Sequence, residues 1–85
     1  MSVGQVICVY RVLPESPEDV EQVKKAIEKL NVQRIEEEPI AFGLKAIIVT
    51  VLIPEIEGKT EAFEKDLKSI KGVKSIECIK VSRSL

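Results

Sequence analysis

Two apolar runs of this chain end on nearly the same text: residues 12–15 read Val-Leu-Pro-Glu and residues 52–55 read Leu-Ile-Pro-Glu. Proline has no N–H to give to a strand ladder, so each run is a strand that stops at Pro14 or Pro54. Soon after each exit the apolar positions recur three and four residues apart, the spacing of one helical face. A chain that twice turns a strand into a crossover helix at the same motif reads as two similar halves. That duplication limits the folds open to it.

The first strand covers residues 4–13, which are mostly β-branched or apolar. Ser16 is then placed as a hydroxyl N-cap, Pro17 as the first helical residue, and Glu18 and Asp19 where the helix dipole favours carboxylates. Val20, Val23, Ala26, Ile27 and Leu30 form one apolar stripe, and Asn31 is placed to end the helix in the left-handed conformation. Residues 32–38 alternate only loosely between charged and apolar, which predicts a polar edge strand ended by Pro39. A loop over residues 40–43 leads into residues 46–53, apolar except for Thr50, the pattern of a central strand. Thr60 is placed to cap a second helix whose Phe63, Leu67 and Ile70 share a face, Gly72 follows as a left-handed residue, and residues 73–83 form the last strand. The order predicts an α+β, ferredoxin-like split βαβ fold (βαββαβ), with a four-stranded antiparallel sheet and two helices on one face.

Both alternating sets of the third strand are apolar: Ile47, Val49, Val51 and Ile53 on one face, Ala46, Ile48 and Leu52 on the other. Two helices cover only one face of such a sheet. The open face is therefore expected to meet a partner protein or to support self-association.

With 85 residues, the chain has material for one domain, residues 1–85, and one core, so function is expected on its surface. Its 13 basic residues are offset by 14 acidic ones and interleaved with them, which leaves no basic stripe for phosphate contacts and argues against direct nucleic-acid binding. No apolar run approaches the roughly 18 residues of a membrane span, and no charged n-region precedes an apolar core, so a cytoplasmic protein without membrane contact is expected. The absence of histidine excludes a histidine dyad or triad and removes the commonest neutral-pH metal ligand. Cys8 and Cys78 each sit in an apolar strand pattern and are expected as small buried thiols.

The sharpest local feature runs from Glu36 through Pro39 to Phe42, Gly43, Leu44 and Lys45. Phe42 stands between two strands, where an aromatic is either an interface anchor or a plug folded back over the sheet end. Lys45 enters the next strand beside it, as a companion charge or an ordinary strand-end lysine. Consecutive strand residues point to opposite faces, so Glu36, Glu37 and Glu38 cannot converge on a metal ion, and they read as a solvated edge that discourages strand pairing. Gly43 lacks the surrounding glycines and the lysine spacing of a phosphate loop, and is placed for a positive φ. No cofactor follows from any motif. Lys80, Arg83 and the carboxylate of Leu85 form a polar tail.

The stretch Glu37-Glu38-Pro39-Ile40-Ala41-Phe42-Gly43-Leu44-Lys45-Ala46, with Pro14-Glu15-Ser16-Pro17 before it and Gly58-Lys59-Thr60-Glu61 after it, resembles the archaeal elongation factor 1-beta family along the entire chain. That resemblance implies a ferredoxin-like fold and guanine nucleotide exchange on the GTPase elongation factor 1-alpha, without covalent catalysis. It also implies that Phe42, with Gly43, Leu44 and Lys45, contacts the GTPase, since a loop aromatic of the eukaryotic relatives inserts there. Those relatives carry a lysine beside the C-terminus that intrudes on the partner's magnesium and phosphate region. Here that place is Ser84, so the role passes to Arg83, or to Lys80 as the weaker substitute.

The same fold can also serve as a homodimeric regulatory or ligand-sensing domain, but no convergent polar pocket is evident. An RNA-binding sheet would need paired aromatics on its central strands, where Tyr10 stands alone. A metal chaperone would need adjacent thiols, and Cys8 and Cys78 form no C-x-x-C pair.

Overall fold

The computed structural model describes residues 4–84, so Leu85 and its carboxylate lie outside the described residues. In chain order the elements are β1 (Gln5–Pro14), a 3-10 turn (Pro17–Asp19), α1 (Val20–Glu28), β2 (Arg34–Ala41), β3 (Leu44–Pro54), α2 (Lys59–Lys68) and β4 (Val73–Ser84). The strands form one antiparallel sheet in the order β2-β3-β1-β4, the expected α+β arrangement with the two most apolar strands central.

Period-two alternation decides which side of the sheet is dry. Cys8, Tyr10 and Val12 of β1 and Ile47, Val49, Val51 and Ile53 of β3 form one cluster with Val23 and Ile27 of α1 and Leu67 of α2, so both helices cover the same face. Burying a side chain such as Ile27 or Leu67 stabilises the fold by about 1.5–3 kcal/mol. Tyr10 lies fully inside with its ring 5.6 Å from that of Phe63, and its hydroxyl donates to Glu64 Oε2 at 2.8 Å, which fixes α2 over β1. Burial first, then the Glu64 carboxylate that accepts the phenol proton, pushes the Tyr10 hydroxyl far above its ordinary pKa.

The duplicated exits have a backbone cause. Pro14 and Pro54 are the last strand residues, and not the first residues outside, because a strand end can do without a donor. The N–H of the following glutamate then closes on a glycine carbonyl of a neighbouring chain segment, Glu15 on Gly72 at 2.7 Å and Glu55 on Gly4 at 2.8 Å. Gly72 is left-handed (φ +98°), and a Cβ there would stand 3.1 Å from Val23 Cγ2 and 3.2 Å from Asp19 Cβ, so the first exit is also tightly packed.

Several local expectations are corrected. Ser16 makes no side-chain cap; its hydroxyl donates to Asp19 Oδ2 at 2.9 Å, and the chain enters α1 through the 3-10 turn. Thr60 lies inside α2, because left-handed Gly58 (φ +87°) starts the helix and accepts the Ala62 N–H at 3.0 Å. Asn31 is left-handed as expected, at φ +59°. β2 begins at Arg34 and runs through Pro39 to Ala41, since an edge strand tolerates a missing donor, and its register shifts between Pro39 and Ala41. Cys78 is exposed, unlike Cys8, because β4 is the other edge of the sheet and has a neighbouring strand on one side only.

On the open face Ala46 is buried and Ile48 and Leu52 are half-buried by their strand neighbours. Arg11 crosses that face, donating from Nε to Glu38 of β2 at 3.1 Å and from Nη1 to Glu77 of β4 at 3.2 Å. The expected bare apolar patch is therefore partly sheltered and spanned by a charge ladder.

Candidate partner-binding site

The Pro39–Ala41 register shift brings Ala41 opposite Leu44 and leaves only Phe42 and Gly43 to connect β2 to β3. Both have positive φ, +51° for Phe42 and +80° for Gly43. Two successive positive φ values match the right-handed twist of the flanking strands, and asparagine or glycine normally supplies them. Gly43 meets the requirement without strain, and a Cβ there would touch nothing within 4 Å, so its need is conformational. Phe42 meets it at a cost of about 1–3 kcal/mol, the usual penalty for a bulky residue held in this region. Its side chain is 101% exposed and does not fold back as a plug. The strained position thus carries an apolar ring that touches nothing of its own chain, and strain of this kind collects at functional sites.

Behind the tip, Leu44 is half-buried and Lys45 exposed. Lys45 Nζ donates to Glu37 Oε1 at 3.2 Å, while Lys24 Nζ of α1 donates to Glu37 Oε2 at 3.1 Å. The Lys24 bond first, then the Lys45 bond, holds the Glu37 carboxyl below the usual carboxylate range, and the Glu37 bond raises the Lys24 ammonium. The acidic run divides by parity: Glu37 faces the helices, Glu38 reaches Arg11 on the open face, and Glu36 lies 3.8 Å from Arg34. Among the described residues, no three Cys, Asp or Glu side chains are grouped to hold a metal ion.

Arg83 and Lys80 stand elsewhere. Arg83 is opposite Val6, which is opposite Ile53, whereas the tip follows on from Leu44. The strand between Leu44 and Ile53 measures about 30 Å at about 3.3 Å per residue, in a molecule 48 Å long. The structure therefore brings Phe42, Gly43, Leu44 and Lys45 together at one end of the sheet and sets Arg83 at the other. Arg83 Nη2 donates to Glu55 Oε2 at 2.8 Å. Lys80 is opposite Val9, exposed on β4.

Sequence reasoning missed Lys24, Glu37 and Glu55. Glu37 shares strand parity with the inward Ile35 and Glu55 closes the duplicated exit motif, both readable signals; Lys24 carried none beyond its charge.

Fold and exposed tip together define a small ferredoxin-like domain whose candidate contacts lie on its surface. Residues 7–83 match the family described as the EF-1 guanine nucleotide exchange domain, and the chain belongs to that family. It is 44% identical over 86 residues to Elongation factor 1-beta of Methanothermobacter thermautotrophicus, covering 94% of this chain and 97% of that protein. It is 40% identical over 82 residues to Elongation factor 1-beta of Methanoregula boonei, with 93% and 96% covered. It is 38% identical over 87 residues to the protein of that name from Desulfurococcus amylolyticus, with 94% and 97% covered.

Proposed function

We propose that this chain promotes exchange of GDP for GTP on elongation factor 1-alpha, by binding the GTPase and weakening its hold on nucleotide and magnesium, with no covalent chemistry of its own. The observation that carries this reading is the family match over residues 7–83. The fully exposed Phe42 at a strained turn supports its use as the anchor, with Gly43, Leu44 and Lys45 beside it. Arg83, with Lys80 on the same strand, is the cation that disturbs the partner's magnesium and phosphate region.

Exchange needs only a difference in affinity. A factor that prefers the nucleotide-free GTPase weakens nucleotide binding by the same ratio that nucleotide weakens its own binding. Each tenfold of weakening requires about 1.4 kcal/mol of differential contact. One desolvated aromatic anchor provides energy of that size. Because anchor and cation lie about 30 Å apart along the strands, the GTPase surface must be engaged at both ends of the sheet.

A translation factor of this kind works in the cytoplasm, without direct contact to nucleic acid or membrane. Among the described residues no helix is long and apolar enough to cross a membrane. Self-association through the open sheet face is not required, and the Arg11 ladder opposes it, because burying those charges carries a desolvation penalty.

The test is release of labelled GDP from elongation factor 1-alpha with and without this protein. Release should accelerate with concentration and saturate. No acceleration at any concentration overturns the reading.

A further inference from the structure

At the end of the sheet away from the tip, one residue ties three segments together. Glu55 follows Pro54 at the exit of β3, donates its backbone N–H to the Gly4 carbonyl at 2.8 Å, and accepts the Arg83 guanidinium of β4 at 2.8 Å. Gly4 leaves room for this arrangement, since a Cβ there would collide with the Glu55 carboxylate. The Glu55 side chain is 31% exposed and that of Arg83 69% exposed.

The equivalent exit in the other half shows what the turn itself requires. Glu15 makes the same backbone bond, to Gly72, yet its side chain forms no ion pair among the described residues. The turn therefore closes without a guanidinium. An ion pair this open to solvent adds little to stability. What it does restrict is a long side chain with several rotatable bonds, whose ordering entropy must otherwise be met at the moment of binding.

We propose that Glu55 is a positioning residue for nucleotide exchange: its carboxylate holds the Arg83 guanidinium in one orientation at the sheet end, ready to meet an anionic group of the GTPase–nucleotide complex. One Arg83 nitrogen is committed to Glu55, and among the described residues nothing else pairs with the guanidinium, which leaves its remaining donors for a phosphate or carboxylate oxygen. The proposal rests on the exchange reading above.

The experiment measures labelled GDP release from elongation factor 1-alpha against factor concentration for wild type, Glu55→Gln, Arg83→Ala and the double variant. Glutamine keeps the side-chain shape and the backbone bond to Gly4, and a thermal melt confirms that each variant is folded. Glu55→Gln is expected to lower the saturating release rate about five-fold, the size of one positioned surface charge contact, while the half-saturating concentration changes less than about two-fold. In the Arg83→Ala background the same substitution should change nothing, because Glu55 acts through Arg83. A wild-type saturating rate for Glu55→Gln overturns the proposal. So does an undiminished effect in the absence of Arg83, or a loss confined to half-saturation. If wild type itself fails to accelerate release, the exchange reading falls, and this proposal with it.

Discussion

The two ends of the sheet hold their exposed side chains in different ways. At the tip, the backbone does the work: two successive positive φ values hold Phe42 clear of its own chain, and the Lys24–Glu37–Lys45 bridge braces the strands behind it. At the far end a side chain, Glu55, holds the exposed Arg83 through an ion pair. An apolar ring gains from rigidity because it must enter a shaped, desolvated site, whereas a charge acts over a few ångströms and needs only a preferred direction.

The sharpest way to break this comparison is Phe42→Asn. Asparagine before glycine is the favoured sequence for such a turn, so the fold should gain about 0.5–1 kcal/mol as strain is relieved. Binding to the GTPase should lose about 2 kcal/mol, roughly 30-fold. Denaturant unfolding and GDP release measure the two opposite signs, and wild-type exchange by this variant removes the anchor. Arg83→Ala should be milder, lowering saturating release about five-fold with little change in stability. Ends about 30 Å apart should act independently, so the double variant should show the product of the two losses.

Between the ends, Tyr10→Phe should cost about 1–2 kcal/mol of stability through the unpaired Glu64 while leaving exchange unchanged. The phenol's raised pKa means that its contribution is fully present below its unfolded value of 10.0 and is lost as the pH rises beyond it. As the chain has a single tyrosine, phenolate absorbance in alkali should appear only with unfolding. Glu37→Gln should likewise have little effect on exchange. Its carboxyl has a folded pKa below the ordinary 4.5, so its stabilisation is present above that value and lost as the pH falls through the lowered one. Acid-unfolding curves of variant and wild type should differ near neutrality and converge at low pH.

The fold was legible because its causes are local and repeated. The apolar alternation of β1 and β3, the stripe on α1 and the left-handed places of Asn31 and Gly72 all follow from residue type. What misled was chemistry whose outcome depends on neighbours. Pro39 ends an interior strand but not an edge one, Thr60 yields to Gly58, and Cys78 is apolar by pattern yet exposed because β4 is an edge strand. At the site, the tip stretch was visible, but its separation from Arg83 was not, since only strand register turns positions 42 and 83 into opposite ends.

The unequal fates of the two thiols give the molecule an internal clock. Cys8 is 1% exposed beneath the helices, and burial raises its thiol above its usual pKa, so a thiol reagent can reach it only when the helix layer parts from the sheet. Cys78 reacts from the folded state and sets the reference rate. The ratio of the two modification rates therefore reports how often the core breathes.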